Sequence, residues 1–131
     1  MRKIFLILCL NISLFAKFEA IKADKLVELQ AKGVPVIDIR MPLEWQQTGI
    51  IKGAYKIMFF DSKGQADVAN WFFNLGHLIY DKNKPFIIYC AHANRTKVLG
   101  NALEQLGFTN IYELDGGIVN GWLKFNKPTV K

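Results

Sequence analysis

The stretch F-I-I-Y-C-A-H-A-N-R-T, Phe86 to Thr96, holds the residues whose types and spacing suit chemistry by a thiol nucleophile. Cys90 ends an apolar run, four residues follow it, and Arg95 and Thr96 close the loop. A turn of this length lets several backbone N–H groups converge on one point, and a helix starting behind it adds partial positive charge. A sulfur placed there is held in surroundings that favour the thiolate, the reactive form. His92 lies inside the loop, where it is placed to act as an imidazolium beside the thiol or as a proton shuttle. Asn94 is suited to hold the turn through side-chain bonds to the backbone. Arg95 is placed to clamp an anion or to brace the loop by pairing with Asp38 or Glu44. Thr96 would cap the helix or donate toward the sulfur.

The flanking elements must put that turn where a ligand can reach it. Phe86 to Tyr89 has no polar alternation, as expected of a parallel strand covered on both faces, and Pro85 suits its start. From Arg95, the residues Val98, Leu99, Ala102, Leu103 and Leu106 recur at helical spacing. The cysteine is therefore expected at the carboxyl end of a central strand, where open α/β sheets bind ligands. Upstream, a short strand is expected over Lys17 to Ile21, then a helix capped by Asp24 and stopped at Gly33. Val34 to Ile39 reads as a strand, Pro42 and Glu44 as the opening of a short helix, and Ala54 to Phe60 as a third strand. Val68, Trp71, Phe72, Leu75, Leu78 and Ile79 predict a long amphipathic helix from Ala66. A fifth strand is expected over Asn110 to Leu114. Trp45 and Trp122 read as core.

Three motifs carry a family resemblance. V-I-D-I-R-M-P-L-E-W-Q-Q-T-G-I-I-K-G-A places Asp38, Arg40, Glu44, Trp45, Gly49, Gly53 and Ala54 in step with one signature. C-x4-R-T at Cys90 is the second, and L-D-G-G-I-V-N-G-W, Leu114 to Trp122, the third. Together they resemble the rhodanese family over most of the chain. The resemblance implies an α/β fold with a central, mostly parallel five-stranded sheet and helices on both faces. It also implies sulfurtransfer from a small anionic sulfur donor such as thiosulfate, through a persulfide on Cys90 cradled by the amides of Ala91 to Thr96. The sulfur would pass to a thiol or cyanide-like acceptor, or to a partner protein. Asp38, Arg40 and Glu44 would then be structural support, with the Asp38–Arg40 pair positioning the active loop. Related dual-specificity phosphatases carry one more residue between cysteine and arginine, so the loop length points away from phosphate.

The loop departs from the commonest family pattern at Ala91, where a cation is usual, and at Ala93, where glycine is usual. Ala91 removes a charge that would hold an oxyanion. Ala93 is expected to keep its backbone out of a strongly left-handed conformation. Both leave open a second reading, a non-catalytic sulfur-carrier or anion-sensing module acting with a partner protein.

Length and composition agree with one domain. The 131 residues are 51% hydrophobic, which excludes a disordered chain. Met1 to Ala16 has a charged start and an apolar run too short to span a bilayer, and reads as a secretory signal peptide, with residues 17–131 as the domain. A buried N-terminal strand is the other reading of that segment. Export places the protein in the periplasm. Removing the segment takes away Arg2 and Lys3 and no acid, lowering the formal charge from +6 to +4. The remaining lysines are scattered, which argues against nucleic-acid binding. Cys9 would leave with the segment, so Cys90 would have no disulfide partner within the chain. One cysteine with His77 and His92 offers no metal-ligand cluster, and no cofactor motif is present.

Overall fold

Apolar runs bounded by turns build one sheet in the computed structural model, which describes residues 17–131. The expected signal peptide lies outside the described residues. The strands are β1 (Phe18–Ile21), β2 (Val36–Asp38), β3 (Tyr55–Lys56), β4 (Phe86–Tyr89) and β5 (Ile111–Leu114). They run in the order β1-β5-β4-β2-β3, and every pairing is parallel. Five helices accompany them: α1 (Ala23–Ala31), α2 (Pro42–Thr48), α3 (Val68–Leu75), α4 (Asn94–Gln105) and α5 (Gly117–Gly121).

β4 sits at the centre and is buried on both faces. Strand side chains alternate between faces, so Phe86, Ile88 and Cys90 enter one core layer while Ile87 and Tyr89 enter the other. The first layer packs Trp71 and Leu75 of α3 and Leu99 and Leu103 of α4 against the sheet. The second packs Leu26 of α1 and Ile118 of α5 with Trp122. Each such large apolar side chain contributes about 1.5–3 kcal/mol when fully buried. The two layers hold β4 rigidly, and with it the start of the loop after Tyr89.

Several boundaries differ from the sequence reading. Lys22 caps α1 and Asp24 stands in its first turn, where an acid still favours the helix dipole. α3 is shorter than its periodicity predicts: the Asp67 side chain accepts from the Asn70 N–H and sets the start, and the chain turns at Gly76. Ile79 is buried from that turn and not from a helix. β3 pairs with β2 over two residues only, although the N–H groups of Ile57 and Phe59 still donate to Asp38 and Ile39. It is an edge strand with one neighbour, and the chain then leaves to bridge Phe60 with Ala66. Trp45 is half-buried, with Lys56 Nζ 5.8 Å from its ring centroid, because α2 joins neither core layer.

Candidate active site

Cys90 follows β4 directly and is fully buried. The loop behind it turns at Ala93, whose φ of 65° and ψ of 9° are left-handed. This differs from the expectation that an alanine avoids that region. The turn into α4 demands it, at a cost of roughly 1–2 kcal/mol for a residue with a Cβ. α4 then begins at Asn94, one residue earlier than its apolar pattern predicts.

Two contacts fix the loop from behind. The N–H of Ile118 donates to the Cys90 carbonyl at 2.9 Å, and that of Val119 to the Ala91 carbonyl at 3.0 Å. These are first-turn donors of α5, which have no partner inside their own helix. Gly117 makes the approach possible: its φ is +67°, and a Cβ there would lie 2.3 Å from the Ala91 oxygen. With their carbonyls held this way, the loop residues leave their N–H groups for something else. Among the described residues, the amides of Ala91 through Thr96 have no protein acceptor. Six donors and the start of a twelve-residue helix therefore serve one turn, a setting that stabilises negative charge.

Arg95 turns to α2 and meets Glu44 through paired bonds of 2.6 and 2.7 Å. The Arg95 guanidinium holds the Glu44 carboxyl below its ordinary range, and Glu44 in turn raises Arg95. The Arg95 charge also lies close enough to Cys90 for the two to interact. Glu44 has a second task, accepting from the Met41 N–H at 3.2 Å at the start of α2.

Asp38 and Arg40 form a buried pair with contacts of 2.8 to 3.2 Å, but among the described residues neither hydrogen-bonds to the Cys90 loop. Arg40 instead donates to the Gly49 carbonyl at 3.0 Å and to Thr48 Oγ1 at 2.9 Å, tying the return after α2 to β2. Any hold the pair has on the active loop is therefore indirect, through the strands. Its link to β4 runs through the Ile39 N–H, which donates to the Tyr89 carbonyl at 3.0 Å. Tyr89 packs its phenol beside Asp38, and burial, with the Asp38 charge second, drives its ionisation upward out of reach. The Ile51 N–H donates to that phenol at 3.1 Å.

His92 and Asn94 are exposed at the mouth. Among the described residues neither side chain makes a hydrogen bond, so Asn94 does not hold the turn as its type suggested. The mouth opens into a hollow of about 680 Å³ bounded by Met41, Phe60, Asp61, Ala91 and Val98 with the loop residues. Its one arginine is Arg95, already engaged by Glu44.

Thr96 lies on the inner side. Its Oγ1 is 3.7 Å from Cys90 Sγ, 3.2 Å from the Ala93 carbonyl and 2.6 Å from Glu113 Oε2. Glu113, on β5, is 2% exposed and also pairs with Lys97. Glu113 belongs to none of the three sequence motifs, and Lys97 reads from the sequence as one of the scattered surface lysines. The signal was an acid within the buried strand I-Y-E-L, three positions ahead of the glycine pair. Among the described residues, no group of three His, Cys, Asp or Glu side chains could hold a metal ion.

The fold and site define a class: a parallel α/β domain that sets a thiol at the end of its central strand, inside a loop of free amides. Residues 22–124 match the rhodanese-like domain, and the chain belongs to that family. It is 29% identical over 102 residues to the thiosulfate sulfurtransferase GlpE of Pseudomonas entomophila, covering 78% of this chain and 83% of that one. It is 32% identical over 94 residues to the tRNA uridine(34) hydroxylase of Aster yellows witches'-broom phytoplasma, covering 70% of this chain but 28% of that protein. In structure it is similar to a rhodanese-related protein from Thermoplasma volcanium, with a TM-score of 0.62 and 27% identity over 86% of this chain and 97% of the other.

Proposed function

We propose that this protein is a sulfurtransferase working through a persulfide on Cys90. The observation that carries the reading is Cys90 at the end of β4 with six unengaged amides around the loop. Family membership and the similarity to a thiosulfate sulfurtransferase support it. The Cys90 thiolate attacks the outer sulfur of a sulfane donor, an S–S bond forms on Sγ, and the donor's own bond breaks with its electron pair on the departing group. An acceptor thiolate or cyanide then attacks the outer persulfide sulfur, and Sγ leaves as thiolate. Two displacements at one residue give ping-pong kinetics, and the amides stabilise the anion on either side of each step.

The donor and acceptor are the finer part of this proposal. Ala91 brings no cation, and Arg95 is committed to Glu44, so the mouth is weakly provided for a dianion such as thiosulfate. That observation favours, as the second reading, a sulfur carrier that exchanges with a partner protein. We place the protein in the periplasm, with residues 1–16 as its signal peptide. N-terminal sequencing of the exported form tests that placement.

The deciding experiment is intact mass before and after incubation with thiosulfate, with Cys90→Ser as control. A gain of one sulfur, absent in the variant and released by cyanide as thiocyanate, supports the enzyme. A persulfide that cyanide does not discharge supports the carrier. No adduct with thiosulfate, polysulfide or an alkyl persulfide overturns both.

A further inference from the structure

Cys90 and Glu113 share one hydroxyl. Thr96 Oγ1 has a single proton and three acceptors within reach: Glu113 Oε2 at 2.6 Å, the Ala93 carbonyl at 3.2 Å and Cys90 Sγ at 3.7 Å. The carboxylate is the nearest of the three and the charged one, and a charge-assisted bond is roughly twice as strong as a neutral one. The hydroxyl proton therefore points to Glu113, and a lone pair of Oγ1 faces Sγ. In that orientation Thr96 accepts from a thiol S–H and has nothing to donate to a thiolate.

We propose that Glu113 is a positioning residue that holds the resting Cys90 in its protonated form by commanding the Thr96 hydroxyl. The inference rests on the sulfurtransferase reading only for its purpose, which is to keep the nucleophile in reserve. It opposes the cradle: the loop amides and Arg95 favour the anion, while Glu113 and the hydroxyl it orients favour the thiol.

The surroundings leave Glu113 as the group able to do this. On α4, Thr96 and Lys97 face it, and Lys97 pairs with its other oxygen from a largely exposed position. The neighbouring strands oppose it with Ala20 on β1 and Ile88 on β4, neither of them charged. At the mouth of the Cys90 loop Arg95 is bound to Glu44, Asp61 lines the hollow and His92 is exposed. Asp38 and Tyr89 lie with each other next to the opposite core layer. Lys97 sets the opposite charge beside the carboxylate oxygen that Thr96 does not use.

The test is titration of the Cys90 13Cβ resonance in cysteine-labelled full-length protein, assigned by Cys90→Ser. Glu113→Gln has nearly the same shape, removes the charge and can donate to Oγ1, which turns the hydroxyl toward Sγ. The midpoint should move to lower pH by about one unit, equal to tenfold more thiolate at a given pH. In a Thr96→Ala background, Glu113→Gln should move the midpoint little. An unmoved midpoint in Glu113→Gln overturns the proposal. An equal shift in both backgrounds also overturns it, because the charge would then act through space and not through Thr96. Circular dichroism confirms that each variant is folded, and Thr96→Ser, which restores a hydroxyl, should restore the effect. Because the readout is a titration, it stands whether or not a persulfide forms. If the midpoints move as stated and no donor loads Cys90, the sulfurtransferase reading fails and the control by Glu113 remains.

Discussion

Arg95 and Glu44 stand 51 positions apart and meet in a two-bonded pair at the mouth of the Cys90 loop. The pair joins α4 to α2 and places the guanidinium where it senses Cys90. It also occupies the arginine that an anionic substrate would otherwise find. One contact thus braces the loop and reduces the charge offered at its entrance.

That pair should be visible in the pH dependence of stability. Glu44 in the folded protein lies below its ordinary value of 4.5, with Arg95 the first cause. A depressed carboxyl contributes stability above its unfolded value and loses it as pH falls through the folded one. Glu44→Gln should cost about 1 kcal/mol at pH 7, in line with a partly exposed ion pair. Urea melts should show that gap closing as the pH falls below 4.5 and through the lowered folded value. A gap that persists at the acid end would assign the loss to the α2 cap and not to the pair.

Arg40 and Asp38 are fully buried against one another, so removing one leaves an uncompensated charge. Arg40→Met should cost about 3–5 kcal/mol, more than loss of any exposed pair among the described residues. Thermal melts compare it with Lys25→Met, whose partner Glu28 is half-exposed and whose loss should be barely measurable.

Gly117 should not accept a side chain. Its φ is positive, and a Cβ would meet the Ala91 and Cys90 carbonyl oxygens at 2.3 and 2.7 Å, both backbone atoms. Gly117→Ala is expected to cost roughly 2 kcal/mol or more. It should also displace the loop, so persulfide loading of Cys90 should fall further than stability alone accounts for, which single-turnover loading well below the melting temperature measures.

Ala93 carries strain that a glycine would release. Ala93→Gly should leave stability within about 1 kcal/mol of the parent, on the stabilising side, since relief of the left-handed conformation outweighs the freedom gained by the unfolded chain. Ala93→Val, β-branched in the same conformation, should cost about 2 kcal/mol. Denaturant midpoints separate the two, and a more stable valine variant would contradict the assigned backbone.

Much of this protein was decided locally. An apolar run free of alternation cannot sit at a half-exposed edge, so Phe86 to Tyr89 had to be a central strand and Cys90 had to follow it. The spacing from Cys90 to Thr96 and the glycine pair at Gly116 and Gly117 are properties of short segments, and they mark the loop and the turn that supports it. What remained belongs to contacts between distant segments. Whether Arg95 would take Asp38 or Glu44 depended on where α2 lies. Whether Ala93 would be left-handed depended on how α4 must leave the loop to cover the sheet. Glu113 gave no local sign of its partners, because the register of β5 beside β4 is what sets it under Thr96. Sequence patterns record which side chains must leave water, but the pairing of buried charges follows from a geometry that exists only when the sheet is assembled.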